Sequence, residues 1–307
     1  MSAPDDWIEA AFAGDRAALA RAITAVENET GDAARVVAAA YPRLGRALVV
    51  GVTGAPGAGK STLVGAYVGV LRARGKSVGI VAVDPSSPIS GGAVLGDRIR
   101  MTAHAADAGV FVRSLAARGA LGGLSRSTAR VVDVMDAAGK DVIVVETVGT
   151  GQSEIAVAGL AAVKVVVTAP GLGDDVQALK AGVLEIADIL VVNKADRPLA
   201  TRDARRLGRL VGLGVGAAPP VLLTTATSGE GIAALADEIE ARAAVVEPRT
   251  APRERARRLI AAAAADRVRQ VLTSDDEHLD AAREAFLRGD IDLATAIAQA
   301  LEIARDG

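Results

Sequence analysis

A glycine-rich run, GVTGAPGAGKST at Gly51–Thr62, has the residue types needed to hold phosphate. Its residues Gly54–Ser61 fit the pattern G-x-x-x-x-G-K-[ST]. Glycines let backbone N–H groups turn inward around an anion, and a helix beginning at Lys60 adds its positive N-terminal dipole. Lys60 should reach the β- and γ-phosphates, whereas a flexible glycine-rich loop is the alternative. The residues predicted to surround the phosphates are Gly54, Ala55, Pro56, Gly57, Ala58, Gly59, Lys60, Ser61 and Thr62.

A second motif, Asn193-Lys194-Ala195-Asp196, follows an apolar run and indicates which base is bound. The Asp196 carboxylate can accept both the N1–H and the 2-amino group of guanine, whereas adenine offers no such pair of donors. Asn193 and the stem of Lys194 would brace the base and its loop. Thr225 and Ala226, in TTATSGEGI, can supply a backbone N–H to the guanine oxygen. The pattern therefore predicts GTP and GDP as ligands, with a helix-capping Asp196 as the alternative.

Three acidic residues can complete a magnesium site beside the Ser61 hydroxyl. Asp84 and Glu146 each end an apolar run on the phosphate-loop side, where ligands bind in α/β proteins. Asp97 lies in GGAVLGDRIRM. Mg²⁺ between phosphates takes oxygen ligands, usually a few carboxylates with water. We therefore predict Ser61, Asp84, Asp97 and Glu146 as metal ligands, while a helix cap or a surface charge is the alternative for each acid.

The chemistry that these groups predict is transfer of a phosphoryl group from GTP to water. Such a transfer needs positioning and charge neutralisation more than covalent chemistry. Lys60, Mg²⁺ with its ligand Glu146, and the backbone N–H groups would neutralise the phosphates, and Gly149 can give its N–H to the γ-phosphate. No side chain is an obvious positioner of the attacking water, although Gln152 and Asp97 are candidates. We expect slow intrinsic hydrolysis that a partner accelerates.

Seven short apolar runs supply the elements that must position these residues. They are ALVVGVTG, SVGIVAVD, VFVRS, DVIVVETVG, VKVVVTAP, DILVVNKAD and PVLLTTAT, separated by helical patterns. Nearly continuous apolar runs are typical of strands buried on both faces. We predict an α/β fold of the P-loop NTPase type, a mainly parallel twisted sheet with helices on both faces and helical extensions at both ends. The predicted boundaries are an N-terminal helical extension over 1–46, the nucleotide domain over 47–246 and a C-terminal helical region over 247–307.

Composition narrows the function classes further. The chain of 307 residues is 50% apolar and has a formal net charge of −2, so no overall field draws it to nucleic acid or to a membrane. It has no cysteine, which excludes disulfides, thiolate catalysis and thiolate metal sites and fits a reducing compartment. The N-terminus has no apolar signal core, and the apolar runs are too short to span a bilayer. A cytoplasmic location is therefore expected.

Several segments together resemble the methylmalonyl-CoA mutase-associated GTPases of the MeaB/ArgK type. They are GDRAALARAITAVEN, VDPSSPISGGAVLGDRIRM, ETVGTGQSE, GLGDDVQALKAGVLEIAD and NKAD, within about residues 14 to 246. The resemblance implies a GTPase chaperone that gates adenosylcobalamin loading and protects or reactivates a B12-dependent acyl-CoA mutase. It also implies three switches, Asp84–Met101, Gly149–Glu154 and Gly171–Lys180. Asp174, Gln177 and Lys180 would be the polar members of the third switch, and Lys180 would pass the nucleotide state to the mutase.

The same residues bear on two alternative functions and on the assembly state. A P-loop kinase of the ArgK amino-acid-transport type normally needs an adenine site, and a metal-insertion GTPase would carry Cys/His clusters. The apolar residues between Arg253 and Val271 recur at three- and four-residue steps, so they form one stripe on a helix. The stripe predicts a homodimer, as the resemblance implies, with packing on the chain's own nucleotide domain as the alternative.

Overall fold

The computed structural model describes residues 6–85, 106–117, 126–147, 159–171, 184–212, 218–245 and 277–306, with isolated positions between 256 and 272. The chain divides into two compact units, residues 1–252 and 253–307. The predicted boundaries at 46/47 and 246/247 stay predictions.

A seven-stranded parallel sheet is the centre of the first unit. Its strands are β1 Leu48–Gly54, β2 Val78–Pro85, β3 Val110–Ala117, β4 Val142–Thr147, β5 Val163–Thr168, β6 Ile189–Asn193 and β7 Val221–Thr224. The order is β3-β2-β4-β1-β5-β6-β7, and every neighbouring pair is parallel. Each of the seven predicted runs forms one of these strands, so the predicted α/β fold is confirmed.

Helices cover both faces of this sheet. In chain order they are α1 Asp6–Phe12, α2 Arg16–Glu27, α3 Ala33–Ala40, a short 3-10 helix Tyr41–Arg43, α4 Lys60–Ala73, α5 Arg126–Ala137, α6 Ala200–Val211 and α7 Ile232–Val245. Leu63 of α4 and Leu235 of α7 pack in one core cluster with Val50 of β1. Ile23 of α2 and Met135 of α5 pack in a second large core cluster. Every residue of β4 and β6 is buried. These strands are therefore covered on both faces, which explains why their sequences are almost continuously apolar.

The buried carboxylate of Asp136 fixes the segment that leads from the N-terminal helices into β1. It accepts the backbone N–H groups of Gly45, Arg46 and Ala47 at 2.9, 3.0 and 2.9 Å. Asp136 itself is 0% exposed. Three donors therefore share one buried acceptor group, and β1 enters the sheet in a defined position.

Asp136→Ala is expected to lower the free energy of unfolding by about 3 kcal/mol, because three partly buried N–H groups lose their acceptor. Asp136→Asn keeps one acceptor oxygen and should lose about half as much. Urea denaturation followed by circular dichroism measures both. A loss below about 1 kcal/mol in the alanine variant would contradict this anchoring role.

Tyr67 on α4 is buried, and its hydroxyl has no hydrogen-bond partner in the described part of the chain. Burial raises the pKa of the Tyr67 phenol well above its ordinary 10.0, and the Glu240 carboxylate raises that pKa further while Arg74 lowers it. Above pH 10 the phenol of the unfolded chain ionises while the folded one stays neutral. Stability linked to Tyr67 is therefore present below pH 10 and is lost as the pH rises above it.

Tyr67→Phe should remove this alkaline loss and leave the free energy of unfolding at pH 7 within about 1 kcal/mol of the parent, since no hydrogen bond is lost. Tyr41→Phe is the matched control, because Tyr41 is the other tyrosine of the chain and is only half-buried. Urea midpoints measured between pH 7 and pH 11 test the difference. Equal alkaline loss in the parent and in Tyr67→Phe would contradict it.

The second unit contains the helices α8 Glu277–Arg288 and α9 Leu293–Asp306. Leu279 and Ala282 of α8 and Ala300 of α9 are buried. Other large apolar side chains are exposed in this unit: Ile260, Leu272, Phe286, Leu287, Leu293, Ile297 and Leu301. No helix in the described residues of either unit is long and apolar enough to cross a membrane.

Candidate functional site

The candidate nucleotide site lies at the carboxyl ends of the central strands. The glycine-rich run connects the end of β1 to the start of α4. Glu146 lies near the end of β4, Asn193 ends β6, and Thr224 ends β7. Because all the strands are parallel, these ends meet at one edge of the sheet, which is where α/β proteins bind ligands.

The glycines of the phosphate loop adopt a backbone that other residues rarely enter. Gly54, Gly57 and Gly59 have φ angles of 135°, 74° and 86°. A Cβ added at Gly54 would lie 1.9 Å from the Val167 carbonyl oxygen, and one at Gly59 would lie 2.6 Å from Asn193 Nδ2. The loop therefore needs glycine both for its conformation and for its close approach to β5 and β6.

The Lys60 ammonium lies inside this loop. Its Nζ donates to the carbonyl oxygens of Gly54 and Ala55, each at 3.0 Å, and Lys60 is 7% exposed. The loop carbonyls thus orient a buried positive charge at the start of α4, where the helix dipole is also positive. This arrangement suits the binding of phosphate.

Ser61 and Glu146 form the acidic part of the site. Ser61 Oγ donates to Glu146 Oε1 at 2.7 Å, and both residues are buried. A hydroxyl and a carboxylate beside the phosphate loop are hard oxygen donors, so they fit Mg²⁺ that takes its other ligands from phosphate and water. In the described residues, no group of three or more His, Cys, Asp or Glu side chains could hold a metal.

Asn193 joins the phosphate loop to the loop after β7. We call this second loop, which contains Thr225 and Ala226, the base loop because it is predicted to contact guanine. Asn193 Nδ2 donates to the Ala58 carbonyl at 2.9 Å. Its Oδ1 accepts the Thr224 hydroxyl at 3.2 Å and the Ala226 N–H at 3.1 Å. The side chain therefore fixes the spacing between the two loops, and it is only 2% exposed.

Lys194 also contacts the phosphate loop. Its backbone has a φ of 58°, and its Nζ donates to the Gly57 carbonyl at 2.7 Å. Asp196 lies two residues further on and is exposed at the rim. Its side chain is thus accessible, as the predicted contact with guanine requires.

The predicted contact of Thr225 and Ala226 with guanine stays a prediction. In the structure the Thr225 N–H donates to the Glu230 carbonyl at 2.9 Å, and the Ala226 N–H donates to Asn193. The first of these bonds lies within the loop after β7, and the second ties that loop to the end of β6.

Two threonine contacts were not singled out from the sequence. Thr224 holds Asn193 as described, and the Thr147 hydroxyl donates to the Thr53 hydroxyl at 3.0 Å between β4 and β1. Both pairs are buried. A threonine at the buried end of an apolar run, next to a motif residue, is the signal that identifies such positions.

Several predicted residues lie outside the described part of the chain: Asp97, Gly149, Gln152 and Lys180. Asp84 is the penultimate residue of β2, but its side chain lies outside the described part of the structure. The structure therefore brings together Lys60, Ser61, Glu146, Asn193 and Lys194. The roles proposed for all of these residues remain predictions.

Comparison with known proteins identifies the relatives of this chain. The model of the family described as methylmalonyl Co-A mutase-associated GTPase MeaB matches residues 19–277. A candidate GTPase of Pyrococcus horikoshii is 49% identical over 246 residues, which are 78% of this chain and 78% of that protein. GTPase ArgK of Escherichia coli is 43% identical over 187 residues, 60% of this chain and 56% of its own. A crystal structure described as an LAO/AO transport system kinase has a TM-score of 0.68 at 26% identity, covering 98% of this chain and 97% of the other.

Proposed function

We propose that this chain, which belongs to the MeaB family of methylmalonyl-CoA mutase-associated GTPases, hydrolyses GTP to gate the loading of adenosylcobalamin into a B12-dependent acyl-CoA mutase. In the same cycle it protects or reactivates that mutase. The binding of GTP in this proposal is supported by the Asn193 side chain, which links the phosphate loop to the base loop in one buried hydrogen-bond network. The mutase as partner rests on the family.

The chain's own residues supply the steps of hydrolysis. The phosphate loop and Lys60 hold and neutralise the phosphates, Asp196 selects guanine, and Lys194 supports the base above the loop. Ser61 and Glu146 would hold Mg²⁺, with Asp84 and Asp97 as further candidates. When bound, this ion would neutralise charge on the phosphate oxygens. Gln152 and Asp97 remain the candidates for orienting water, with Gly149 as the sensor of the γ-phosphate and Lys180 as the relay to the mutase.

The two alternative functions, a P-loop kinase of the ArgK type and a metal-insertion GTPase, receive less support. The E. coli relative that carries the ArgK name is itself named a GTPase. The Asp196 carboxylate opposes an adenine site. A metal-insertion GTPase needs a ligand cluster, and the described residues contain none with three or more His, Cys, Asp or Glu.

The test combines purified protein with GTP or ATP, with and without Mg²⁺, and then with a methylmalonyl-CoA mutase. We expect hydrolysis of GTP but not of ATP, dependence on Mg²⁺, and acceleration by the mutase. Absorbance spectra of the mutase during adenosylcobalamin loading should change with the nucleotide state. Lys60→Ala is the control, because it should lose these effects while keeping the fold. Hydrolysis without any effect on the mutase would remove the chaperone role and leave the GTPase.

A homodimer is the assembly that we propose, and it rests on the exposed apolar side chains of the second unit. Leu287 is 76% exposed, Leu293 60% and Ile297 51%. Several large apolar side chains left in water in one small unit favour a surface that pairs with another chain. Of the stripe predicted between Arg253 and Val271, Ile260 is 68% exposed, whereas Leu259, Ala263 and Val271 lie outside the described residues.

Leu287→Glu combined with Ile297→Glu is therefore expected to convert a dimer to a monomer at micromolar concentration, because the new charges would have to be buried. Multi-angle light scattering measures the mass. Val245→Glu is the control, since Val245 is an exposed apolar residue at the end of α7 in the first unit. A parent that is monomeric throughout would refute the proposed dimer.

A further inference from the structure

A positively charged face follows directly after Asn193–Asp196, the N-K-x-D sequence that we call the guanine motif. We call this face the arginine face, and it comprises Arg197, Leu199, Arg202, Arg205, Arg206, Arg209 and Leu210. These residues lie on α6 and the turn before it, and they line a surface cavity of about 970 Å³. Asp203 is the one acidic residue between Arg197 and Leu210, against five arginines. The face is thus strongly basic in a chain with a net charge of −2.

The arginines of this face have few internal partners. Arg202 is 3.5 Å from Asp203, whereas Arg197, Arg205, Arg206 and Arg209 make no ion pair in the described part of the chain. Elsewhere arginines are commonly paired, as are Arg72 with Asp107, Arg113 with Glu27, and Arg242 with Glu238. Like charges placed together repel each other, so binding of an anionic partner would reduce the electrostatic repulsion between these arginines.

The arginine face lies on the side of α6 that is not packed in the core. Helix α6 packs through Ala200 and Leu207, which are buried with Val192 of β6. The side chain of Arg202 is 70% exposed, and Arg205, Arg206 and Arg209 are also exposed. The charged side of the helix is therefore available for an interaction.

The face is joined to the guanine motif by a short segment with two unusual backbone positions. Lys194 and Leu199 have φ angles of 58° and 78°, and they are two of only three non-glycine residues with positive φ in the described chain. The Arg197 N–H donates to the Lys194 carbonyl at 3.0 Å, and the Asp203 N–H donates to the Leu199 carbonyl at 2.9 Å. These backbone hydrogen bonds connect the start of α6 to Lys194, two residues before Asp196.

We propose that the arginine face docks a carboxylate-rich segment of a partner protein, and that docking changes the rate at which guanine nucleotide is released. Arginine guanidinium groups bind carboxylates through paired hydrogen bonds. Leu199 and Leu210, 48% and 44% exposed, offer apolar contacts between the charges, which is the composition of a protein interface. No aromatic residue lines the described part of the cavity, so the stacking that single-stranded nucleic acid needs is missing there. Taking the mutase as this partner rests on the proposed function.

The test compares Arg205→Glu/Arg206→Glu with the parent and with a matched control, Arg46→Glu/Arg283→Glu. The control makes the same change in net charge at two exposed arginines outside α6, of which Arg283 pairs with Asp280. Biolayer interferometry measures binding to methylmalonyl-CoA mutase, to poly-glutamate and to single-stranded DNA at two salt concentrations. Release of a fluorescent GDP analogue is followed with and without each ligand.

We expect the parent to bind the mutase and poly-glutamate in a salt-sensitive manner, and the face variant to lose at least about tenfold in affinity for both. The control should stay within about twofold. Nucleotide release without a ligand should be equal in all three proteins, and the ligand-dependent change in release should disappear only in the face variant.

The outcomes separate the docking surface from the proposed function. A mutase that binds the parent and the face variant equally overturns the surface and leaves the proposed function intact. If the mutase does not bind the parent, the proposed partner is wrong, and the poly-glutamate measurements then decide on the surface. Failure of poly-glutamate to bind, or tighter binding of single-stranded DNA, overturns the acidic protein segment as the occupant. Docking that leaves nucleotide release unchanged overturns the link to the guanine motif.

Discussion

Asp196→Asn is expected to reverse the base preference of this protein from guanine towards xanthine. Asp196 is exposed two residues after Lys194, and its carboxylate is the group that we propose accepts two donors from guanine. An amide in its place accepts one hydrogen bond and donates one, which matches the N1–H and the extra carbonyl of xanthine. Because a site built on paired hydrogen bonds rejects the wrong partner strongly, the ratio of affinities for GTP and XTP should fall by about 10⁴-fold.

Equilibrium titration with fluorescent GTP and XTP measures this ratio. Asp237→Asn is the control, since Asp237 is a surface acid that pairs with Arg74 outside the site. It should leave both affinities within about twofold of the parent. Unchanged GTP affinity in Asp196→Asn would remove Asp196 from the base site, and equal loss for both nucleotides would indicate a damaged loop.

Replacement of Glu146 should have the second large effect, on hydrolysis rather than on binding. Glu146 is a buried carboxylate that accepts a hydrogen bond from the Ser61 hydroxyl beside the phosphate loop. Glu146→Gln keeps the shape and an acceptor oxygen but removes the charge that would serve the cation. The single-turnover rate of GTP hydrolysis should therefore fall by about 10²- to 10³-fold, while GTP affinity changes by less than about tenfold.

Thr147→Val is the matched control for Glu146→Gln, because Thr147 is the adjacent buried residue of β4 and contacts Thr53 rather than Ser61. Its hydrolysis rate should stay within about threefold of the parent. Ser61→Ala should lose the Mg²⁺-dependent part of GTP affinity, measured in Mg²⁺ and in EDTA. If Glu146→Gln and Ser61→Ala both hydrolyse GTP at the parent rate, the metal assignment is wrong.

Much of the fold was predictable because the relevant signals are local. An almost continuous apolar run such as VIVVET can be stable only where both faces are covered, so each run indicated a buried parallel strand. The phosphate loop is also a local signal, since Gly54, Gly57 and Gly59 adopt their positive φ angles within one turn. Lys60, at the start of α4, follows from the same short stretch.

The contacts between motifs were not predictable, because they depend on the order of the strands. Asn193 is 135 residues from Ala58 in the chain, and their hydrogen bond forms because β6 lies two strands from β1. Asp136 binds the N–H groups before β1 only because α5 packs on that face. In the same way, the sequence shows five arginines from Arg197 to Arg209, but only the structure shows that, among the described residues, Arg202 alone of these five makes an ion pair.

Sequence alone thus predicted the class of fold, because each strand is indicated by a local apolar run, and it located the glycine-rich and N-K-x-D motifs, whose roles stay predictions. Tertiary structure decided how these parts are joined. Ser61 pairs with Glu146, and Asn193 bridges to the phosphate loop, although these partners are far apart in the chain. The exposure of the arginine face likewise depends on which distant residues pack around α6. Hydrogen bonds and ion pairs act over a few ångströms, so they exist only where folding brings the partners within that distance.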